Sequence, residues 1–90
     1  MMHDRGLNKL AEECGELVQI ACKKASLEGQ GLEPEIDIDK RLQEEIADVL
    51  AAIDFVCFEF ALDTISIVKR KDFKFQKFMQ WHQDHSEGYL

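Results

Sequence analysis

Ninety residues, 46% apolar and 32% charged with a single proline, describe one folded domain spanning residues 1–90 and not a disordered chain. A chain this short buries only about 60–65% of its unfolded surface, so self-association is the expected source of further stability. The net charge of −7 argues against a general nucleic-acid binder. Five basic residues (Lys69, Arg70, Lys71, Lys74, Lys77) nevertheless fall within nine positions, an isolated basic strip on an acidic chain.

Residues 1–6 hold no apolar run of the kind a secretory signal needs. The most apolar stretch, Ile46 to Leu62, carries Asp48, Asp54 and Glu59, which a membrane span does not tolerate. Cys14, Cys22 and Cys57 are an odd number without CxxC spacing. They read as small core residues of a cytoplasmic, reduced protein.

The first predicted helix runs from about Asp4 to Glu28. Leu7, Leu10, Ala11, Cys14, Leu17, Val18, Ala21 and Ala25 recur at steps of three and four. Gly29-Gln30-Gly31 ends it, and Pro34 marks a loop through about Asp37. Asp37 or Asp39 can cap a second helix to about Ala61, its stripe being Leu42, Ile46, Val49, Ile53, Val56 and Phe60. Asp63-Thr64 opens a third, with Ile65, Val68, Phe75, Phe78 and Met79 apolar, which Ser86-Glu87-Gly88 closes. The fold class is all-α. Ala51, Phe55 and Phe58 lie off the second helix's main stripe, so another face also needs cover, and a second copy of the chain supplies it.

Two acidic clusters, Glu12-Glu13-Cys14-Gly15-Glu16 and Glu44-Glu45-Ile46-Ala47-Asp48, each put carboxylates three residues apart, about one helical turn. Glu45 falls only about 40° from the centre of its apolar stripe, and Asp48 about 60° beyond it. Lys9, Glu13, Glu16 and Ile20 share a flank of the first helix. Carboxylates gathered beside a core repel one another unless a cation holds them, and an all-oxygen set suits Mg²⁺ or Mn²⁺. Spacing alone leaves a solvated acidic face equally open. His82-x-x-His85 has metal-compatible spacing but sits at a helix end, and Asp54 reads as a partner for a basic residue.

The stretch from Leu7 to Leu17, LNKLAEECGEL, followed by Glu44-Glu45-Ile46-Ala47-Asp48-Val49, resembles the MazG-like nucleoside triphosphate pyrophosphohydrolases. The family pattern ExxE, spacer, ExxD reads here as Glu13-x-x-Glu16, 28 residues, then Glu45-x-x-Asp48. The resemblance covers most of the chain and implies an antiparallel helical bundle completed by homodimerisation. It also implies hydrolysis between the α and β phosphates, releasing a nucleoside monophosphate and pyrophosphate. The metal ligands it implies are Glu13, Glu16, Glu45 and Asp48, holding two or more Mg²⁺ or Mn²⁺, with Glu12 or Glu44 assisting. Glu12 or Glu13 is then the carboxylate expected to orient or deprotonate the attacking water. Lys71, Lys74 and Lys77 are expected to grip phosphate charge, Asn8 to contact the base and Trp81 to stack on it. The compact single-domain form resembles phage-encoded members, and by that resemblance alone a deoxypurine triphosphate such as dGTP is favoured. A homodimer and a homotetramer are both compatible with the sequence.

Two rivals stand beside this reading. A phosphoribosyl-ATP pyrophosphohydrolase resembles the same fold and chemistry with a different substrate. A non-catalytic helical module would assemble through its apolar helices and tolerate loss of Glu45 or Asp48. A diiron bundle is disfavoured because neither acidic motif contains His.

Overall fold

A computed structural model of the chain describes residues 4–31 and 36–88, with side-chain surroundings described for 4–31 and 37–85. Within them the protein is all-helical. Helix α1 is Leu7–Gly29, α2 is Ile36–Phe60 and α3 is Thr64–Gly88. None is long and apolar enough to cross a membrane. Pro34 lies outside the described residues.

Local chemistry sets the helix ends. The Asp4 carboxylate accepts from the backbone N–H groups of Gly6 (3.1 Å) and Asn8 (2.7 Å), taking up orphan donors at the start of α1. Arg5 and Gly6 both have positive φ, 59° and 92°, so the chain enters α1 through a left-handed turn. At the end of α2 the Leu62 N–H reaches the Cys57 carbonyl and the Ala61 N–H the Phe58 carbonyl, with Ala61 at φ 50°. This is a Schellman closure with alanine where glycine is usual. Asp63 then caps α3, as its sequence position predicts, accepting from Ser66 N–H at 3.1 Å and Ser66 Oγ–H at 3.0 Å.

Helices α1 and α2 form an antiparallel hairpin. Its seam on α1 is Leu10, Glu13, Leu17, Ile20, Lys24 and Leu27, alternating in steps of three and four. Ile38, Val49, Ala52 and Val56 are the buried residues opposite. Lys24 pins the loop end, bonding Asp39 at 2.5 Å and pairing with Glu28 at 3.6 Å. These carboxylates hold its ammonium pKa above the ordinary value, Asp39 foremost.

Four expectations need correcting. Leu7, Ala11, Cys14, Val18, Ala21 and Ala25 are exposed, because the seam lies about a third of a turn round α1 from them. Cys14 and Cys22 are therefore exposed and Cys57 half-buried, not core residues of the single chain. Asp37 and Asp39 sit inside the first turn of α2, which already begins at Ile36. The third helix also runs through Ser86-Glu87 to Gly88 instead of stopping before them.

Helix α3 stands apart. Every described side chain from Thr64 to His85 is exposed, including Phe73, Phe75, Phe78, Met79 and Trp81 at 50–60%.

Candidate metal centre

The antiparallel hairpin brings the two acidic motifs to the same level. Glu13 reaches the seam from α1, and Glu45 and Asp48 from α2. One carboxylate oxygen from each lies within 4.8 Å of the others, the sole such grouping of metal-ligating side chains among the described residues. Glu13 and Glu45 are half-buried, and their Oε2 atoms are enclosed without a hydrogen-bond partner. Asp48 is exposed and closes the cluster on the solvent side.

The electrostatics follow from this packing. Burial pushes the Glu13 carboxyl above its ordinary pKa, and repulsion from Glu16 and then Asp48 adds to it. Glu45 is raised for the same reasons in the same order, with Arg41 opposing weakly. Glu16 is exposed, yet it acts on both Glu13 and Glu45, as Asp48 does. Such a site favours uptake of a proton or a cation. Its donors are all hard carboxylate oxygens, a set that fits Mg²⁺ or Mn²⁺.

The neighbouring acids behave differently. Glu12 turns away to pair with Lys9 at 3.1 Å, and that bond raises the Lys9 pKa, with smaller contributions from Glu13 and Glu16. Glu44 is exposed. Asp54 is exposed too, and it has no ion pair among the described residues.

A cavity of about 440 Å³ opens beside the carboxylates, lined on one side by Glu13, Asp48 and Lys9 and further along by Ala51, Ala52, Gly6 and Phe55. Gly6 and Phe55 also line an adjoining cavity of about 400 Å³ with Asp4, Arg5 and Glu59. The left-handed Gly6 is needed here on two counts. Its φ disfavours a side chain, and a Cβ would stand 2.6 Å from Phe55 Cδ1. Sequence reasoning did not single out Arg5, Gly6 or Phe55 for this place. The close approach of two segments 49 residues apart has no local signal.

The other expected site residues are not gathered at the cluster. Asn8 is exposed near the start of α1. Lys71, Lys74, Lys77 and Trp81 are exposed on α3, and none lines either cavity. Their surroundings are local: Lys74 lies over the Phe78 ring at 5.1 Å, Lys77 over Phe73 at 5.4 Å, and Trp81 against His85 at 4.3 Å. His85 is thereby turned towards the Trp81 carbonyl, 2.9 Å from Nδ1, and not towards His82. Comparison with protein-family models, curated proteins and solved structures finds no match to this chain.

Proposed function

We propose that this protein is a metal-dependent nucleoside triphosphate pyrophosphohydrolase acting as a homo-oligomer. The observation carrying the proposal is the convergence of Glu13, Glu45 and Asp48 within 4.8 Å, with two enclosed oxygens lacking partners. Enclosed carboxylate oxygens without partners cost stability unless a cation holds them. Mg²⁺ or Mn²⁺ bound there supplies counter-charge for phosphate oxygens and acidifies the attacking water.

The chain's own residues do the rest. Glu13, Glu16, Glu45 and Asp48 form the ligand set, and Glu13 is the best-placed carboxylate to orient water at the phosphoanhydride. Glu12 serves less well because Lys9 engages it. Lys9, on the cavity rim, offers a cation beside the phosphates. Lys71, Lys74 and Lys77 join only if α3 of a second copy reaches the site. One water is consumed, the bond between the α phosphorus and the β-bridging oxygen breaks, and monophosphate and pyrophosphate leave.

Product analysis with each common NTP and dNTP, with Mg²⁺ or Mn²⁺, tests this. Pyrophosphate release that Glu45→Gln abolishes is the expected result. Diphosphate plus phosphate would place the cleavage elsewhere. Turnover of phosphoribosyl-ATP alone would select the related pyrophosphohydrolase activity. The exposed apolar faces favour one other reading, a non-catalytic assembly module. That reading predicts no turnover, a wild type whose melting is indifferent to metal, and a Glu45→Gln variant that is folded and assembled.

A further inference from the structure

We infer that the groove running from Glu13 and Asp48 past Gly6 and Phe55 to Arg5 is the nucleobase site, with Phe55 as its stacking surface and Arg5 reading the base edge. The inference rests on the proposed function and names the part of the substrate that the carboxylates do not hold.

Four observations converge on it. The two cavities adjoin at Gly6 and Phe55, which line both, so the second extends the first away from the carboxylates. The first alone, at about 440 Å³, is within the usual size of small-molecule sites, about 300–1,000 Å³. Along α2, Phe55 follows Asp48 by about two turns, or roughly 10 Å. Gly6 precedes Glu13 by the same interval on the antiparallel helix. A nucleotide whose phosphates lie at Glu13 and Asp48 therefore lays its base over Phe55.

Phe55 is half exposed, and one edge of its ring packs so closely on Gly6 that a Cβ there would stand 2.6 Å from Cδ1, which holds the ring in place. At the far end the Arg5 guanidinium stacks on Phe60 at 4.2 Å, donates to the Glu59 carbonyl and pairs through Nε with the Glu59 carboxylate at 3.9 Å, which together fix its position. A guanidinium has five N–H donors, so this anchoring leaves others free. Arg5, a non-glycine residue, has a positive φ of 59°, a backbone state that concentrates at ligand sites. A forked donor matches a base with two adjacent acceptors, the O6 and N7 of guanine.

The groove is also compatible with assembly through the apolar stripes. At about 100° per residue, the exposed apolar stripe of α1 (Leu7, Ala11, Cys14, Val18) and that of α2 (Ile46, Leu50) share one side of the hairpin. Lys9, Asp48 and Phe55 fall on the opposite side. A second copy covering the apolar stripes therefore leaves the groove to solvent.

The test is steady-state kinetics of the assembled protein with the four dNTPs, comparing wild type, Phe55→Leu and Arg5→Gln. Phe55→Leu keeps an apolar side chain without the stacking face, and melting curves verify that each variant is folded. Phe55→Leu is expected to raise KM about tenfold for every base with little change in kcat. Arg5→Gln is expected to reduce the preference for guanine over adenine by about tenfold. Unchanged KM and base preference in both folded variants would overturn the inference. If wild type turns over no triphosphate, the proposed function fails first. Equilibrium dialysis of GMP and dGTP with Mg²⁺ then decides the groove. Binding weakened by Phe55→Leu supports it, and binding that is absent or insensitive to Phe55 overturns it.

Discussion

The Glu45 side chain carries two opposed demands: it lies in the hairpin seam, and its charge is repelled by Glu16 and Asp48. In metal-free protein the charge is a liability, so Glu45→Gln is expected to raise Tm. Adding Mg²⁺ or Mn²⁺ is expected to stabilise wild type and leave the variant unmoved. A ligand at a hundred times its dissociation constant adds about 2.7 kcal/mol, enough for a clear shift in a domain this size. Differential scanning fluorimetry with and without metal reads both effects at once. A wild-type Tm indifferent to divalent ions would remove the metal centre. Much of this site was legible in the sequence, because three-residue spacing on each of two helices leaves few ways to arrange the carboxylates. Spacing does not reveal that Glu12 turns away to Lys9, since that depends on a rotamer. Nor does it place Gly6 against Phe55, which only the hairpin's register brings together.

Helix boundaries were equally readable where a side chain makes the boundary. Asp63 caps α3 as its position predicts, and the Ser66 N–H and Oγ–H hold its carboxyl below the ordinary pKa. A depressed folded pKa means the cap stabilises fully above the unfolded value and is lost as pH falls through the folded one. Helicity by circular dichroism is therefore expected to hold from neutral pH and decline below roughly pH 4. Asp63→Asn, which caps without titrating, flattens that part of the profile. The end of α2 is less regular, since Ala61 is left-handed at φ 50° in a Schellman closure. Ala61→Gly relieves about 1 kcal/mol of backbone strain and is expected to raise Tm by roughly 4–8 °C at fixed protein concentration. What periodicity could not tell was which stripe of α1 meets α2. Two heptad-like rows lie about a third of a turn apart, and the seam took the row containing Glu13 and Lys24. The wholly apolar row was left outside.

At the scale of the whole molecule that uncovered row is the main argument for assembly. The single chain exposes 7606 Å², against roughly 5,400 Å² for a compact monomer of this mass. Its radius of gyration is 16.6 Å, where a compact chain of this length has about 12 Å. The surplus is of the order that obligate homodimers bury. Val18 is 60% exposed at the centre of the α1 row. The five cations of the basic strip have no ion pair among the described residues, and the rest of the chain is strongly acidic. A second copy would answer both needs, by covering the apolar row and giving α3 an acidic surface. Light scattering after size exclusion is expected to give a dimer or tetramer mass, and Val18→Glu a monomer. On a free monomer surface that substitution would change stability by no more than about 0.5 kcal/mol. Retained monomer mass in wild type would therefore remove the second copy. Two probes locate the contact. Cys14, in the α1 row, is expected to be protected from thiol reagents in wild type and reactive in Val18→Glu. Trp81, the sole tryptophan, reports on α3. A blue-shifted emission in wild type that reddens in Val18→Glu means α3 is covered in the same assembly, bringing Lys71, Lys74 and Lys77 onto a partner. Emission that stays red in both confines the contact to the hairpin, and the phosphates must then be held without them.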